Sequence, residues 1–209
     1  MRRFVALAIL TLAIFLIGAW NLQSTSPAAM TANPGKAYFA GGCFWSMELA
    51  FEKVEGVLFV TSGFMGGTVA NPSYEEVSAG RTGHAESVEV IYDPSKVSYQ
   101  KLLDAFWHNV DPVTPNAQFC DHGRQYRSVI FYRNDEQRKE AKEMIAKFNA
   151  AHVWPNPIVT EVQPFTVFYK AEDYHMDFYR LHPNEGYCRT VIAPEIAEFR
   201  TKFKAKLKK

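Results

Sequence analysis

The chain has 209 residues, 47% of them hydrophobic and 14% aromatic, enough to bury one sizeable core. Lys and Arg number 23 against 22 Asp and Glu; a formal charge of +1 leaves no basic surplus to neutralise phosphates and argues against a nucleic-acid binder. Three widely spaced cysteines, Cys43, Cys120 and Cys188, form no CxxC, and no His/Cys pair has zinc-ligand spacing, so neither a disulfide framework nor a structural metal is expected.

Arg2 and Arg3 precede an uncharged apolar run from Phe4 to Trp20. Its length approaches the roughly 17–25 residues of a membrane-spanning helix. Residues 1–22 are therefore expected to be a signal peptide or an uncleaved inner-membrane anchor, with the two arginines cytoplasmic and the remainder exported to a bacterial periplasm. Residues 23–35 read as a polar linker, and residues 36–209 as a single catalytic domain with no internal repeat.

Within that domain, Lys36–Ala40 is a candidate strand running into Gly41-Gly42. Met47, Ala50, Phe51 and Val54 recur at helical spacing, with Gly56 as the stop. Val57–Phe64 reads as a strand, Met65–Pro72 as a loop and Ser73–Ala79 as a short helix. Ser87–Tyr92 alternates apolar and polar residues and closes on Asp93-Pro94, so it reads as a strand. Ser98 begins a helix through Val110. Arg127–Tyr132 is another strand, and Asn134 or Asp135 caps a long helix to about His152. Thr160–Val162 is a short strand, Ala171–Leu181 a helix, His182–Arg189 a turn-rich loop and Pro194–Lys206 a terminal helix, its lysine-rich end solvated. Strands and helices in this order predict a two-layer α/β sandwich, a mixed sheet with helices packed on it. No GxGxxG opens a helix, so nothing supports dinucleotide binding.

The chemistry-bearing stretch is AGGCFWSMELA. Two glycines allow close backbone approach, and the helix start is expected to stabilise a Cys43 thiolate and lower its pKa. Phe44 and Trp45 offer apolar faces beside the sulfur. An inert buried thiol remains the alternative. Glu86 begins an apolar strand, where desolvation would raise its pKa and keep it protonated. Tyr74, Asp121 and Tyr126 are polar residues in turn-rich surroundings, each weak evidence alone; His84, His175 and His182 read as structural. Cys188 lies among Pro183, Asn184 and Gly186, where a mobile loop could carry a second thiol; a fixed bridge or a buried thiol is the other reading.

Taken together, GGCFWSMELAFEKVEGV, GFMGGTVANPSYEEVSAGRTGHAESVEVIYDP, DHGRQYRSVIFY and AEDYHMDFY resemble the A-type peptide methionine sulfoxide reductases, over roughly Lys36 to Cys188. The resemblance implies a ferredoxin-like core within the α/β sandwich. It implies that Cys43 attacks the sulfoxide sulfur of the S epimer of free or peptide-bound methionine sulfoxide and becomes a sulfenic acid. It further implies that Phe44 and Trp45 hold the substrate methyl group, Glu86 protonates the oxygen, Tyr74 and Tyr126 hydrogen-bond to it, and Asp121 orients the site. Cys188 matches the recycling cysteine that forms a Cys43–Cys188 disulfide, reduced by thioredoxin or an equivalent dithiol; Cys120, beside Asp121, is the alternative resolving thiol. No metal or prosthetic cofactor is implied, and a monomer is expected. Two other readings stand beside this one: a cysteine hydrolase using His84 or His175 as base, and a membrane-tethered module that binds Met-rich proteins.

Overall fold

The computed structural model describes residues 33–203 and 207–208, so the expected leader and all but the end of the linker lie outside the described residues. The elements in chain order are β1 (Gly35–Ala40), α1 (Phe44–Glu52), β2 (Val57–Met65), α2 (Tyr74–Ser78), β3 (Ala85–Tyr92), α3 (Tyr99–Asn109), β4 (Ala117–Gln118), β5 (Asp121–His122), β6 (Val129–Tyr132), α4 (Asp135–Ala150), β7 (Glu161–Pro164), β8 (Tyr169–Lys170), α5 (Phe178–Leu181) and α6 (Ala193–Lys202). Six strands form one sheet in the order β7-β6-β1-β3-β2-β8. All pairings are antiparallel except β6 with β7, so the sheet is mixed, as expected for the sandwich.

β1 is central and buried on both faces. Phe39 points to the helical layer, stacking on Phe51 of α1 at 4.9 Å and Phe106 of α3 at 5.3 Å between ring centroids. Tyr38 points the other way, against Phe165 and Phe168. β3 alternates as its sequence requires: Val88, Val90 and Tyr92 are buried while Glu89 and Ile91 are partly exposed. The helix starts are encoded locally. Ser73, Ser98 and Asn134 each accept a backbone N–H three residues ahead, and Ser73 with Glu76 completes a reciprocal capping box.

Departures from expectation concentrate in the last forty residues. Ala171–Leu181 is not one helix: a single 3-10 turn at Asp173–His175 and the short α5 are separated by Asp177, held at φ +55°. The cause is tertiary, because the Asp177 N–H donates to Glu48 of α1 at 3.1 Å instead of continuing a helix. His182–Arg189 is not a mobile loop throughout, since helix begins at Gly186 and runs through Cys188 to Lys202. Cys188, Ile192, Ile196 and Phe199 form its buried stripe. Cys188–Ile192 is wound as a π turn just before Pro194. Proline has no N–H and its ring crowds the carbonyl four residues back, here Thr190; opening the preceding turn accommodates both defects. Finally, the lysine-rich end is not simply a solvated helix end. Leu207 bridges to Val54 and the Lys208 N–H donates to the Lys53 carbonyl at 2.7 Å.

Candidate active site

Cys43 is the N-cap of α1, extended at φ −61° and ψ 124°, and its carbonyl accepts the N–H groups of Ser46 and Met47 at 3.1 and 3.2 Å. The glycines before it serve the protein's own packing. A Cβ on Gly41 would lie 2.4 Å from Val110, and one on Gly42, whose φ is +81°, would lie 2.8 Å from Gln118. The Gly42 N–H donates to the Tyr126 carbonyl at 3.2 Å, which ties the β1–α1 turn to the 3-10 turn Arg124–Tyr126. The close approach expected at this turn is thus to neighbouring side chains and backbone.

Glu86, the second residue of β3, is 2% exposed, and its carboxylate accepts the Phe44 N–H at 3.0 Å. Burial, reinforced by the charge of Asp121, pushes its pKa up to about 8, although the Phe44 amide pulls the other way. The group is therefore predominantly a neutral acid at neutral pH. The expectation of a lowered thiol pKa does not hold. Burial first, and then the charges of Glu86 and Asp121, hold the Cys43 thiol well above its ordinary range; the amides of Trp45 and Ser46 at the helix start oppose this and lose.

Tyr74, at the start of α2, and Tyr126 are half-buried. Burial and then the Glu86 charge raise both phenol pKa values, with Cys43 and Asp121 among the further charges felt, so both stay protonated donors. Asp121, in β5, accepts the hydroxyl of Tyr187 at 2.5 Å, and burial raises its pKa. The fold thus gathers Cys43, Glu86, Tyr74, Tyr126 and Asp121 from five separate segments within mutual electrostatic range.

Phe44 is 1% exposed and packs on Phe64 and Tyr74 at centroid distances of 5.7 and 6.1 Å. Trp45 is partly exposed, lies flat on Phe178 at 3.8 Å, and donates its indole N–H to His175 Nδ1 at 3.1 Å. All three cysteines are free: Cys120 is exposed at the turn between β4 and β5, whereas Cys188 is fully buried. Neither histidine proposed as a hydrolase base is available. His84 accepts the Gly67 N–H at Nδ1 and donates from Nε2 to the Val69 carbonyl, while His175 Nδ1 is occupied by Trp45. Among the described residues no group of three or more His, Cys, Asp or Glu side chains could hold a metal ion.

Three further residues surround this constellation and were not singled out from sequence. Tyr187, next to Cys188, binds Asp121. Glu195 of α6 accepts the Ser46 hydroxyl at 2.7 Å, and burial pushes its pKa up to about 7. Glu48, likewise pushed up to about 7 by burial, accepts from Ser62 and Asp177. The available signals were the GYC triplet for Tyr187 and, for Glu48, a carboxylate among the buried positions of an apolar helix.

The family model described as peptide methionine sulfoxide reductase matches residues 35–207. The chain is 48% identical over 177 residues to peptide methionine sulfoxide reductase MsrA 1 of Rhodopirellula baltica, covering 84% of this chain and 91% of that one. It is 45% identical over 188 residues to MsrA of Deinococcus radiodurans, covering 90% of each. Among solved structures, reduced Mxr1 of Saccharomyces cerevisiae superposes with a TM-score of 0.70 at 31% identity, over 76% of this chain and 91% of that one. Methionine sulfoxide reductase A of Corynebacterium diphtheriae gives 0.67 at 33% identity, over 77% and 80%. The chain belongs to the A-type peptide methionine sulfoxide reductase family, oxidoreductases that reduce methionine sulfoxide.

Proposed function

We propose that this chain reduces the S epimer of free and peptide-bound methionine sulfoxide with Cys43 as nucleophile and Glu86 as proton relay. The observation that carries the assignment is a neutral, buried Glu86 carboxyl hydrogen-bonded to the amide of the residue that follows Cys43. A sulfoxide oxygen leaves poorly unless protonated. Because the thiol is itself protonated at rest, one proton suffices for the balance. Glu86 gives its proton to the oxygen as the Cys43 sulfur bonds to the substrate sulfur, and the thiol proton returns to Glu86. Oxygen then passes to Cys43, leaving a sulfenic acid and methionine. Tyr74 and Tyr126 donate to the polar oxygen, Asp121 orients the site through Tyr187, and Trp45, backed by buried Phe44, walls the methyl group.

Cys188 attacks the sulfenic acid, releasing water and forming the Cys43–Cys188 disulfide, which thioredoxin or a similar dithiol reduces. Its burial within the helix that leads into α6 requires the first turns of that helix to open before the two sulfurs meet; exposed Cys120 is the competing thiol. The chemistry is thiol-based and uses no prosthetic cofactor. The Arg2-Arg3 and Phe4–Trp20 pattern supports export to a periplasm, with the apolar run serving as leader or inner-membrane anchor. An oxidising compartment then requires a thioredoxin-like partner fed from across the membrane.

Mass spectrometry after one equivalent of the S epimer tests the assignment. The native protein is expected to yield one methionine and a 43–188 disulfide. Cys188→Ser should give one turnover only and Cys43→Ser none. Multiple turnovers in Cys43→Ser would end the proposal, and a 43–120 disulfide would reassign the resolving role.

A further inference from the structure

A methionine sulfoxide within a polypeptide brings neighbouring residues with it, and these must lie on the surface around the reacting groups. Tyr174 stands on that surface, 55% exposed. Its ring lies on His175 at 4.0 Å between centroids, and His175 meets Tyr74 at 4.5 Å, so a continuous run of rings leads from a proposed donor to the sulfoxide out to solvent. Tyr74 also lies within electrostatic range of the Tyr174 phenol. An aromatic ring packed on one side and open on the other is a platform for a second group.

Two carboxylates act on this exposed ring. Glu172 comes two residues before it, and one Glu172 oxygen accepts the Tyr74 N–H at 3.0 Å. That bond brings the start of α2, and with it Glu75, against the same segment. Burial first, and then the charges of Glu172 and Glu75, raise the Tyr174 pKa, so the phenol stays protonated in the field of both. Neither carboxylate is neutralised by a lysine or arginine among the described residues. Glu75 is exposed, and the second Glu172 oxygen faces His175 Nε2 at 3.8 Å, on a ring that burial keeps neutral. Lys170 of β8, four residues before Tyr174, is taken by Asp173 at 2.6 Å. The rim on this side therefore combines an open aromatic face with two uncompensated negative charges.

We propose that Tyr174, Glu75 and Glu172 form a subsite for an arginine or lysine side chain that adjoins the oxidised methionine in a polypeptide substrate. The aliphatic stem covers the Tyr174 ring, and the cationic head lies between the ring face and the carboxylates. Arginine suits the site best, because its planar guanidinium stacks on a ring and donates to a carboxylate at once. A glutamate or aspartate in the same place meets like charge and is rejected. The reacting centre handles an uncharged sulfoxide and cannot tell one oxidised methionine from another, so choice among the methionines of a protein falls to this rim. The inference rests on the reading of Cys43 and Glu86 given above and deepens it by naming a class of substrate sequence.

The test is kcat/KM of the full chain, with excess dithiothreitol, on capped glycine pentapeptides centred on methionine S-sulfoxide that carry arginine or glutamate on one side of it or the other. Acetylmethionine S-sulfoxide amide, which has no neighbouring residue, is the control. On at least one side the arginine peptide is expected to exceed the glutamate peptide about three- to tenfold at low salt, through KM, and the ratio should shrink at about 0.5 M salt. Tyr174→Ala and Glu75→Gln should each narrow that ratio and leave the control substrate unchanged, whereas Tyr174→Phe keeps the platform and should keep the ratio. A residue with only a structural role would lower activity on the control and both peptides alike. Glu75→Gln, an exposed isosteric change, carries the test even if Tyr174→Ala does not fold. A native ratio near one on both sides, with the control still reduced, overturns the subsite alone; a control that is not reduced overturns the reading of the site itself. A ratio that Glu75→Gln leaves unchanged, or that salt does not alter, overturns the role of charge, and one that a folded Tyr174→Ala leaves unchanged overturns the role of the ring.

Discussion

The segment from β1 through α1 to Glu86 and the segment from Ala171 to Lys202 each bring one thiol of the proposed cycle, and they are held in place by different physics. Around Cys43 the chain is fixed by sterics and burial: Gly41 lies against Val110, Gly42 sits at a left-handed φ against Gln118, and Glu86 is anchored below the helix start. Around Cys188 a buried stripe of Cys188, Ile192, Ile196 and Phe199 is supplemented by individual polar contacts, namely Tyr187 to Asp121, Glu195 to Ser46, Asp177 to Glu48 and Trp45 to His175. Each such bond is worth roughly 0.5–3 kcal/mol. The first region is preorganised for oxygen transfer. The second adds to its buried stripe polar contacts weak enough to release one at a time, which suits a segment whose buried thiol has to travel.

Removing the acid should break the first region's function with the largest effect. Glu86→Gln is expected to slow methionine formation by about 10²–10⁴-fold, measured in a single turnover. In the native chain the same rate should fall as pH rises through about 8, where the Glu86 proton is lost. Stability should move in the same direction. A carboxyl whose native pKa lies above its ordinary value binds more protons folded than unfolded, so its contribution is present at low pH and lost as pH rises from about 4.5 to 8. Glu86→Gln cannot ionise, and near pH 8 urea unfolding should find it more stable than the native chain, by an amount on the order of a few kcal/mol at most.

Gly42→Ala attacks the steric side of the comparison. A side chain at φ +81° with its Cβ 2.8 Å from Gln118 should cost about 2 kcal/mol in thermal or urea unfolding, and displace Cys43 from the Tyr126 turn. An Ala variant as stable as the native chain would show that the turn is not sterically determined.

The same contrast explains what could be read in advance. Periodicity and caps located β1, α1, β2, β3, α3, β6 and α4, because local signals and tertiary packing agree there; Ser73, Ser98 and Asn134 mark helix starts in sequence and in structure alike. Residues 171–181 and 186–189 were misread because the deciding partners lie far away in the chain. Nothing near Asp177 announces that Glu48, 129 positions earlier, will take its N–H. Pro183 and Asn184 do form a turn, yet the buried stripe from Cys188 to Phe199 starts the helix already at Gly186. At the active site the motif positions were legible, while the direction of the Cys43 shift was not. A helix start is visible in sequence; the partial burial of Cys43 beside the Glu86 and Asp121 carboxyls that outweighs it is not.

Tyr187→Phe should loosen the second region while leaving every side chain of the first in place. It removes one hydrogen bond to Asp121 at the residue before Cys188. Hydrogen exchange at residues 186–192 is expected to quicken, and disulfide formation after sulfenic acid formation to speed up by a few fold, for a loss of about 1–2 kcal/mol in stability. Slower disulfide formation would mean that the contact guides the segment to its target and does not restrain it.

Ser46→Ala is the smallest perturbation and the one most sensitive to pH. The Ser46 hydroxyl donates to Glu195 at 2.7 Å, joining the catalytic helix to the helix that continues from Cys188. Burial raises the Glu195 pKa to about 7, and the Ser46 bond pulls it down by favouring the ionised form. Below about pH 6 the carboxyl is mostly protonated, the bond joins two neutral groups, and its loss should cost about 0.5 kcal/mol. Above pH 7 the carboxylate is left half-buried without its donor, and the cost should rise toward about 1.5 kcal/mol. The difference between Ser46→Ala and the native chain in urea unfolding is therefore expected to widen from pH 5 to pH 8. A pH-independent difference would mean that Glu195 is held by packing alone, and that the Cys188 segment is tied to the catalytic helix less by charge than by its buried stripe.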